Sequence, residues 1–313
     1  MRALVTGAAG FIGSNLVDGL LASGYQVVGV DNLSSGSLAN LEHAFKYNAL
    51  SSGRFIFLRR DIQAPDLKGI VAGCNPDVIF HLAAQVNVQT AFDDPQFDAR
   101  SNVLGTINLC EASRHAGVRR IVYAASQVSG SPGLSPCAVG KLAGEMYLRA
   151  YAETYGLAPI CLALSNVYGP RQNPHGPADA IWLLGEAMIT GQPPITSVGG
   201  AALDFIYVSD VVQAFMRAGC APIGLTGTYQ IGTGQHTTSA ELRHCLSAYF
   251  DEPSTDVPVE DGRPDLHAVA LTDGKAEREL GWAPTVDLLS GIGRTMHWLC
   301  GTLRPDPSLS VGA

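Results

Sequence analysis

The chain lacks a Cys-x-x-Cys pair, an internal repeat, a low-complexity tract and any apolar run near the roughly 18 residues that span a bilayer. Its seven cysteines (Cys74, Cys110, Cys137, Cys161, Cys220, Cys245 and Cys300) are odd in number and widely scattered. That pattern argues against a disulfide framework and against a metal site, and leaves reduced thiols as the expectation. Charge is also sparse, at 15% of residues, and 28 acidic side chains outnumber 20 basic ones for a net charge of −8. Neither nucleic acid nor a membrane surface is therefore expected as a partner. A small anionic ligand is compatible with this balance, because local arginines and helix N-termini bind anions on acidic proteins too. The strand-like opening MRALVTG leaves no room for a basic and apolar leader, so the expected location is cytoplasmic.

What is present is enough apolar sequence, 46% of 313 residues, to fill a sizeable core. To about residue 165, short apolar runs alternate with helical stretches: ALVT, 12–23; YQVVGV, about 38–46; RFIFL, a short helix; DVIFHLA, 98–116; RIVYAA, about 138–155; PICLAL. Continuous apolar strands separated by helices predict parallel βαβ units covered on both faces, an α/β fold with a Rossmann-like doubly wound sheet. After Asn166 the chain turns to Gly/Pro-rich loops and helices near 178–190, 209–218 and 239–249. The expected organisation is a dinucleotide-binding domain over 1–165, a smaller C-terminal substrate lobe over 166–304 with chain crossings between the two, and a frayed tail over 305–313.

The first strand runs into Gly7-Ala-Ala-Gly10-Phe-Ile-Gly13 and then a helix. Glycines at such a turn let the backbone approach a pyrophosphate at the helix N-terminus. The second strand ends at Asp31, at the spacing where an acid accepts from the adenosine ribose hydroxyls. A carboxylate there repels a 2′-phosphate, so the expected cofactor is NAD and not NADP. His81 reads as a buried, hydrogen-bonded strand residue in preference to a catalytic histidine.

The segments TGAAGFIGSNLVDGLL, VDNLSSG, RRDI, HLAAQV, NVLGTINLCEA, KLAGE, NVYGPRQ, DFIYVSDVV and KAERELGW occur in an order that resembles the extended short-chain dehydrogenases of the nucleotide-sugar epimerase/dehydratase branch, over residues 2 to about 295. The resemblance implies that Gly7, Gly10, Phe11, Ile12 and Gly13 form the cofactor turn. Asp31 and Asn32 would hold the adenosine ribose, Asp61 and Ile62 the adenine, and Leu82, Ala83, Ala84 and Gln85 the inner ribose and nicotinamide side. Asn102 would support the strand ends.

The resemblance also carries a reactive centre. Family members place a Ser/Thr after the fifth strand and Tyr-x-x-x-Lys on the next helix, with tyrosine and lysine one turn apart on one face. Here Ser126 keeps the first place and SPCAVGKLAGE matches the usual SPYAVSKLAGE, so Cys137 replaces the tyrosine while Lys141 remains. Two readings of Cys137 stand: a thiol whose pKa is lowered by Lys141 and the helix N-terminus, or a small apolar helix residue. The connection between Ser126 and Cys137 is shorter than is usual in the family. Gln127 and Val128 stand where dehydratases carry an Asp-Glu pair, which leaves Gln127 as a candidate in the catalytic set. For the nucleotide sugar, the resemblance implies Asn166, Arg171, Arg263 and Asp265, with Arg263 suited to a diphosphate by its planar fork. Leu203 and Ala163 stand where the family usually has arginines.

The activity so implied is transient oxidation of a UDP-sugar at carbon 4 with NAD regenerated. The lost tyrosine and missing acidic pair point toward 5,6-dehydration of a UDP-N-acetylhexosamine, of the kind found in tunicamycin biosynthesis. The alternative is a UDP-hexose 4-epimerase with a substitute for the tyrosine, and a further alternative is a catalytically silent NAD-binding sensor. A homodimer through helices 98–116 and 138–155 is expected, with Val103, Ile107, Cys110, Leu142, Met146 and Ala150 as its apolar stripes.

Overall fold

Successive residues of a strand face opposite sides of a sheet, and in this chain both sides are apolar, so each strand needs a helical layer above and below. A computed structural model, describing residues 1–50, 53–126, 135–172, 180–191, 202–250 and 273–303, has that arrangement. The strands among the described residues are β1 (Arg2–Thr6), β2 (Gln26–Asp31), β3 (Phe55–Arg59), β4 (Val78–His81), β5 (Arg120–Ser126), β6 (Ala158–Leu164), β7 (Asn166–Tyr168), β8 (Phe205–Tyr207) and β9 (Gly227–Ile231). The helices are α1 (Phe11–Ala22), α2 (Glu42–Leu50), α3 (Leu67–Cys74), α4 (Val88–Asp93), α5 (Pro95–Ala99), α6 (Gly105–Ala116), α7 (Pro136–Tyr155), α8 (Ala180–Thr190), α9 (Val208–Cys220), α10 (Ser239–Phe250), α11 (Lys275–Leu280) and α12 (Leu288–Leu303).

Seven strands form one parallel sheet in the order β3-β2-β1-β4-β5-β6-β9, the doubly wound topology. Ala3, Val5, Val78, Phe80, Val122 and Leu162 bury one face against α1 and α9. Leu4, Ile79, Ile121, Tyr123 and Cys161 bury the other against α3, α6 and α7. The winding reverses between β1 and β4, the position at whose carboxyl ends doubly wound sheets have their ligand-binding crevice. The short parallel pair β7-β8 packs with α8, α10 and α12, and their apolar side chains continue the core on the α1 and α9 side of the sheet.

Three features differ from the sequence expectation. The helix expected over 98–116 is interrupted by a π-helical turn at Arg100–Leu104, where Asn102 turns back toward β4. Strand β9, not read as a strand in the sequence, joins the large sheet beside β6 as one of the expected chain crossings, with α9 packed across β4 to β6. Its sequence GTYQI buries Tyr229 and Ile231 while Thr228 and Gln230 are only partly covered, a mixed edge pattern that does not read as a continuous apolar strand. Helices α11 and α12 are additional elements. Among the described residues no helix is long and apolar enough to cross a membrane.

Candidate active site

The first βα turn shows why its glycines differ in purpose. Gly7 has φ +71, and a Cβ there would lie 2.7 Å from the Ala83 nitrogen. A Cβ on Gly13 would fall 2.0 Å from the Gly7 carbonyl oxygen. Both positions are closed by the protein itself. Gly10 is different: an added Cβ meets only the Gly7 oxygen, at 3.3 Å, so its outer side is open. Gly10 is also the N-cap of α1 and provides no side-chain cap for its first N–H groups. An open cradle over bare helix N–H groups fits a pyrophosphate. Phe11 and Ile12 are partly buried against the core beneath this turn.

Asp31, nearly buried at the end of β2, accepts from the backbone of Ala9 at 2.9 Å and of Leu33 at 2.7 Å, one donor per carboxylate oxygen. Each oxygen keeps acceptor capacity for a further donor such as a ribose hydroxyl. Leu33 takes φ +64, rare for a residue with a side chain, and so seats its N–H on Asp31. Asn32 donates to Asp61 at 2.7 Å, grouping these three residues at one end of the crevice. The Ile62 side chain is buried against Gly105, and its carbonyl accepts from Asn108.

At the crevice floor, Leu82 and Ala83 donate to the carbonyl and hydroxyl of Thr6. The Thr6 hydroxyl, already accepting from Ala83, lies 2.8 Å from His81 Nδ1. Thr106 donates to the Asn102 carbonyl and lies 3.0 Å from His81 Nε2. These directions make His81 a neutral imidazole protonated on Nε2, consistent with burial lowering its pKa to about 3, helped by the Lys141 charge. His81 is thus the buried, bonded strand residue that its setting in the sequence suggests.

The reactive centre lies where β5 meets α7. Ser135 caps α7 by accepting from Ala138 N–H, and Pro136 occupies the first turn, so the helix begins just before Cys137. Ser126 ends β5, half-buried. Lys141 donates to the Ala124 carbonyl at 2.8 Å and stands 4.8 Å from the Tyr123 ring centroid. Burial lowers its pKa to about 8, opposed by Cys137, Asp98 and Cys161.

The Cys137 thiol donates to the Gln85 carbonyl at 3.5 Å. Burial raises its pKa to about 11, Asp98 adds to the rise, and the lowering by Lys141 does not offset them. This corrects the reading of Cys137 as an acidified thiol: desolvation outweighs the lysine. Tyr123 does not take the absent tyrosine's place, since its phenol donates to the Lys141 carbonyl beneath α7 and burial raises its pKa. Asn102 clasps Gln85, accepting from its N–H at 2.9 Å and donating to its carbonyl at 2.8 Å.

At the other side of the crevice, Asn166 donates through its backbone and side chain to the Asp204 carbonyl. The buried Asp204 carboxylate accepts from Ser165, from the Thr233 and Gly234 backbone and from the Thr233 hydroxyl. Sequence reasoning did not single out this hub, whose role arises from donors distant along the chain. Arg171, expected to bind the sugar diphosphate, has one guanidinium nitrogen engaged within the protein. Its backbone has φ +71 and its guanidinium pairs with Asp18 on α1 at 2.7 Å, while Asn15 donates to the neighbouring Pro170 carbonyl. Leu203 is bridged through its backbone to Thr237. Gln127, Arg263 and Asp265 lie outside the described residues.

A glycine turn, an acid ending β2 and a Ser/Lys pair at the ends of β5 and α7 are the marks of a nicotinamide-dependent short-chain dehydrogenase site. The chain belongs to the NAD dependent epimerase/dehydratase family, whose model matches residues 3–232. It is 44% identical to a UDP-glucose 4-epimerase of Mycolicibacterium smegmatis over 316 aligned positions, covering 95% of this chain and 98% of that protein. The UDP-glucose 4-epimerase of Thermotoga maritima, solved with UDP-glucose, superposes with a TM-score of 0.84 at 34% identity, covering 97% of this chain and 100% of that one. The Thermus thermophilus UDP-glucose 4-epimerase, solved in complex with NAD, gives 0.83 at 32% identity, covering 96% and 99%.

Proposed function

We propose that this protein is a UDP-hexose 4-epimerase that works without the family's tyrosine. The observation that carries the reading is that Ser126 at the end of β5, Lys141 bonded to that strand and an open dinucleotide cradle are all kept in a chain similar along nearly its whole length to UDP-glucose 4-epimerases. The residues fit NAD: the Gly7–Gly13 turn and the N-terminus of α1 would take the pyrophosphate, and Asp31 with Asn32 the adenosine ribose. Asp61 and the backbone of Ile62 would border the adenine, Leu82 to Gln85 the nicotinamide side, and Lys141 the nicotinamide ribose. When bound, NAD supplies a hydride acceptor at carbon 4 and then the donor that returns the hydride.

The chain's own part is positioning and proton handling. Ser126 would bond the carbon-4 hydroxyl and relay its proton to water in the crevice, from which it would return to the carbon-4 oxygen when the hydride comes back. Cys137, a neutral thiol engaged with Gln85, leaves space in place of a phenol and is a modulator, not the base. Asn166 would contact the sugar diphosphate, with Arg263 and Asp265 proposed from sequence for the diphosphate and the uridine ribose. Arg171 contributes by clamping its loop to α1 through Asp18.

The sequence points first toward 5,6-dehydration, but the relatives favour epimerisation. The test is incubation with UDP-glucose, UDP-galactose and their N-acetylamino forms without added cofactor. Unchanged product mass with inverted configuration at carbon 4 is expected. Loss of water would overturn the reading in favour of dehydration, and no product at all in favour of a silent sensor.

A further inference from the structure

Asp98, on α5, is 1% exposed and has no part in the roles assigned above. Burying a carboxylate is costly unless hydrogen bonds or an opposite charge compensate. Here one oxygen, Oδ1, accepts from Asn102 Nδ2 at 3.0 Å and from Gln85 Nε2 at 3.2 Å. The other, Oδ2, lies against α7, where a Cβ added to Gly140 would approach it to 2.4 Å. Gly140 sits between Cys137 and Lys141, so the carboxylate occupies the space beneath the turn that carries both.

The two donors on Oδ1 are the residues that shape the nicotinamide side of the crevice. Asn102 Nδ2 spends its hydrogens on Asp98 and on the Gln85 carbonyl, while its oxygen accepts the Gln85 N–H. That same Gln85 carbonyl receives the Cys137 thiol. The Gln85 side-chain amide also closes on the Asn87 backbone in both directions, and Asn87 caps α4. Removing the Asp98 acceptor would therefore free the amides that hold Gln85 and leave a buried donor on Asn102 and a partly buried one on Gln85 without this partner.

We propose that Asp98 is a positioning residue of this active site, its buried carboxylate locking Asn102 and Gln85 so that the loop after β4 presents a fixed face to the cofactor and to Cys137. The proposal concerns the site assigned to NAD above and does not depend on which sugar reaction follows.

The test compares Asp98→Ala with Asp98→Asn, whose amide oxygen can still accept from both donors, at a temperature where each variant is folded by circular dichroism. Two quantities are read without any UDP-sugar: NAD affinity by titration, and the rate of Cys137 alkylation by iodoacetamide, resolved by peptide mass spectrometry. Asp98→Ala is expected to weaken NAD at least about tenfold and to speed Cys137 alkylation, and Asp98→Asn to restore NAD affinity to within about threefold of the parent. Should Asp98→Ala not fold, Gly140→Ala, which pushes a methyl group onto Oδ2, is expected to weaken NAD in the same way. Unchanged NAD affinity and alkylation in Asp98→Ala, or an Asp98→Asn protein as impaired as Asp98→Ala, would overturn the proposal. Since neither readout involves turnover, failure of epimerisation and failure of this inference are separately visible.

Discussion

One turn ahead of Lys141 stands a thiol with too short a stem and too high a pKa to act as the family's phenol does. Raised to about 11 by burial and by Asp98, Cys137 is protonated near neutrality and already donates to Gln85. A general base commonly contributes roughly 10²–10⁴-fold. Cys137→Ala should thus lose less than about tenfold in turnover, whereas Lys141→Ala should lose at least about a hundredfold; steady-state rates with NAD saturating decide. Abolished turnover in Cys137→Ala with NAD still bound would make the thiol the base after all. Asp31 carries a second expectation: its carboxylate leaves acceptor capacity for ribose hydroxyls but repels a 2′-phosphate, so NAD should bind more tightly than NADP. Titration of both cofactors into cofactor-free protein checks it, and equal affinities would remove Asp31 from the argument.

Where strand β1 becomes helix α1, the glycines make an internal control. Gly13→Ala would drive a methyl group onto the Gly7 carbonyl and should markedly lower the melting temperature. Gly10→Ala meets only a 3.3 Å contact and should melt within a few degrees of the parent while binding NAD about tenfold more weakly. If Gly10→Ala binds NAD normally, the open cradle is not where the pyrophosphate lies. On the far side of α6 and α7 an apolar face is left uncovered in the single chain, with Met146 60% exposed, Leu104 55%, and Val139 and Tyr147 beside them. Cys110, expected in that stripe, is instead buried against the sheet, because helix α6 turns that side inward. The face is the proposed homodimer contact. The protein should have a dimer's mass at micromolar concentration and Met146→Glu a monomer's, as measured by light scattering; a monomeric parent would refute it.

Across the whole molecule, legibility followed the range of the interactions. The covered parallel sheet and its glycine turn were readable because apolar runs and a strand-turn-helix order are local signals. Asp98, Asp204 and the Arg171–Asp18 pair were not, because each acquires its partners only when distant segments meet. Asp98 and Asn102 stand four residues apart, a visible helical pairing, yet nothing local says that Gln85 completes it. His81 joins the same long-range order to overall stability. The run from Ala83 through Thr6, His81 and Thr106 to Asn102 links β1, β4, α6 and the π-helical turn, and it requires a neutral imidazole. The folded chain holds the His81 pKa near 3, against an ordinary value of 6.5 in the unfolded chain. Between those values the unfolded state takes up a proton that the folded state refuses, so acidification below about pH 6.5 costs stability, by about 1.4 kcal/mol per pH unit for one group. The raised carboxyl of Asp98 works the other way, favouring the folded state as it protonates, so the His81 contribution is isolated by difference. His81→Gln keeps an acceptor and a donor without titrating near these pH values. The parent's urea midpoint should fall more steeply than that of His81→Gln between pH 6.5 and 5, by the equivalent of about 2 kcal/mol. Parallel declines in the two proteins would show that His81 is not buried in its neutral form.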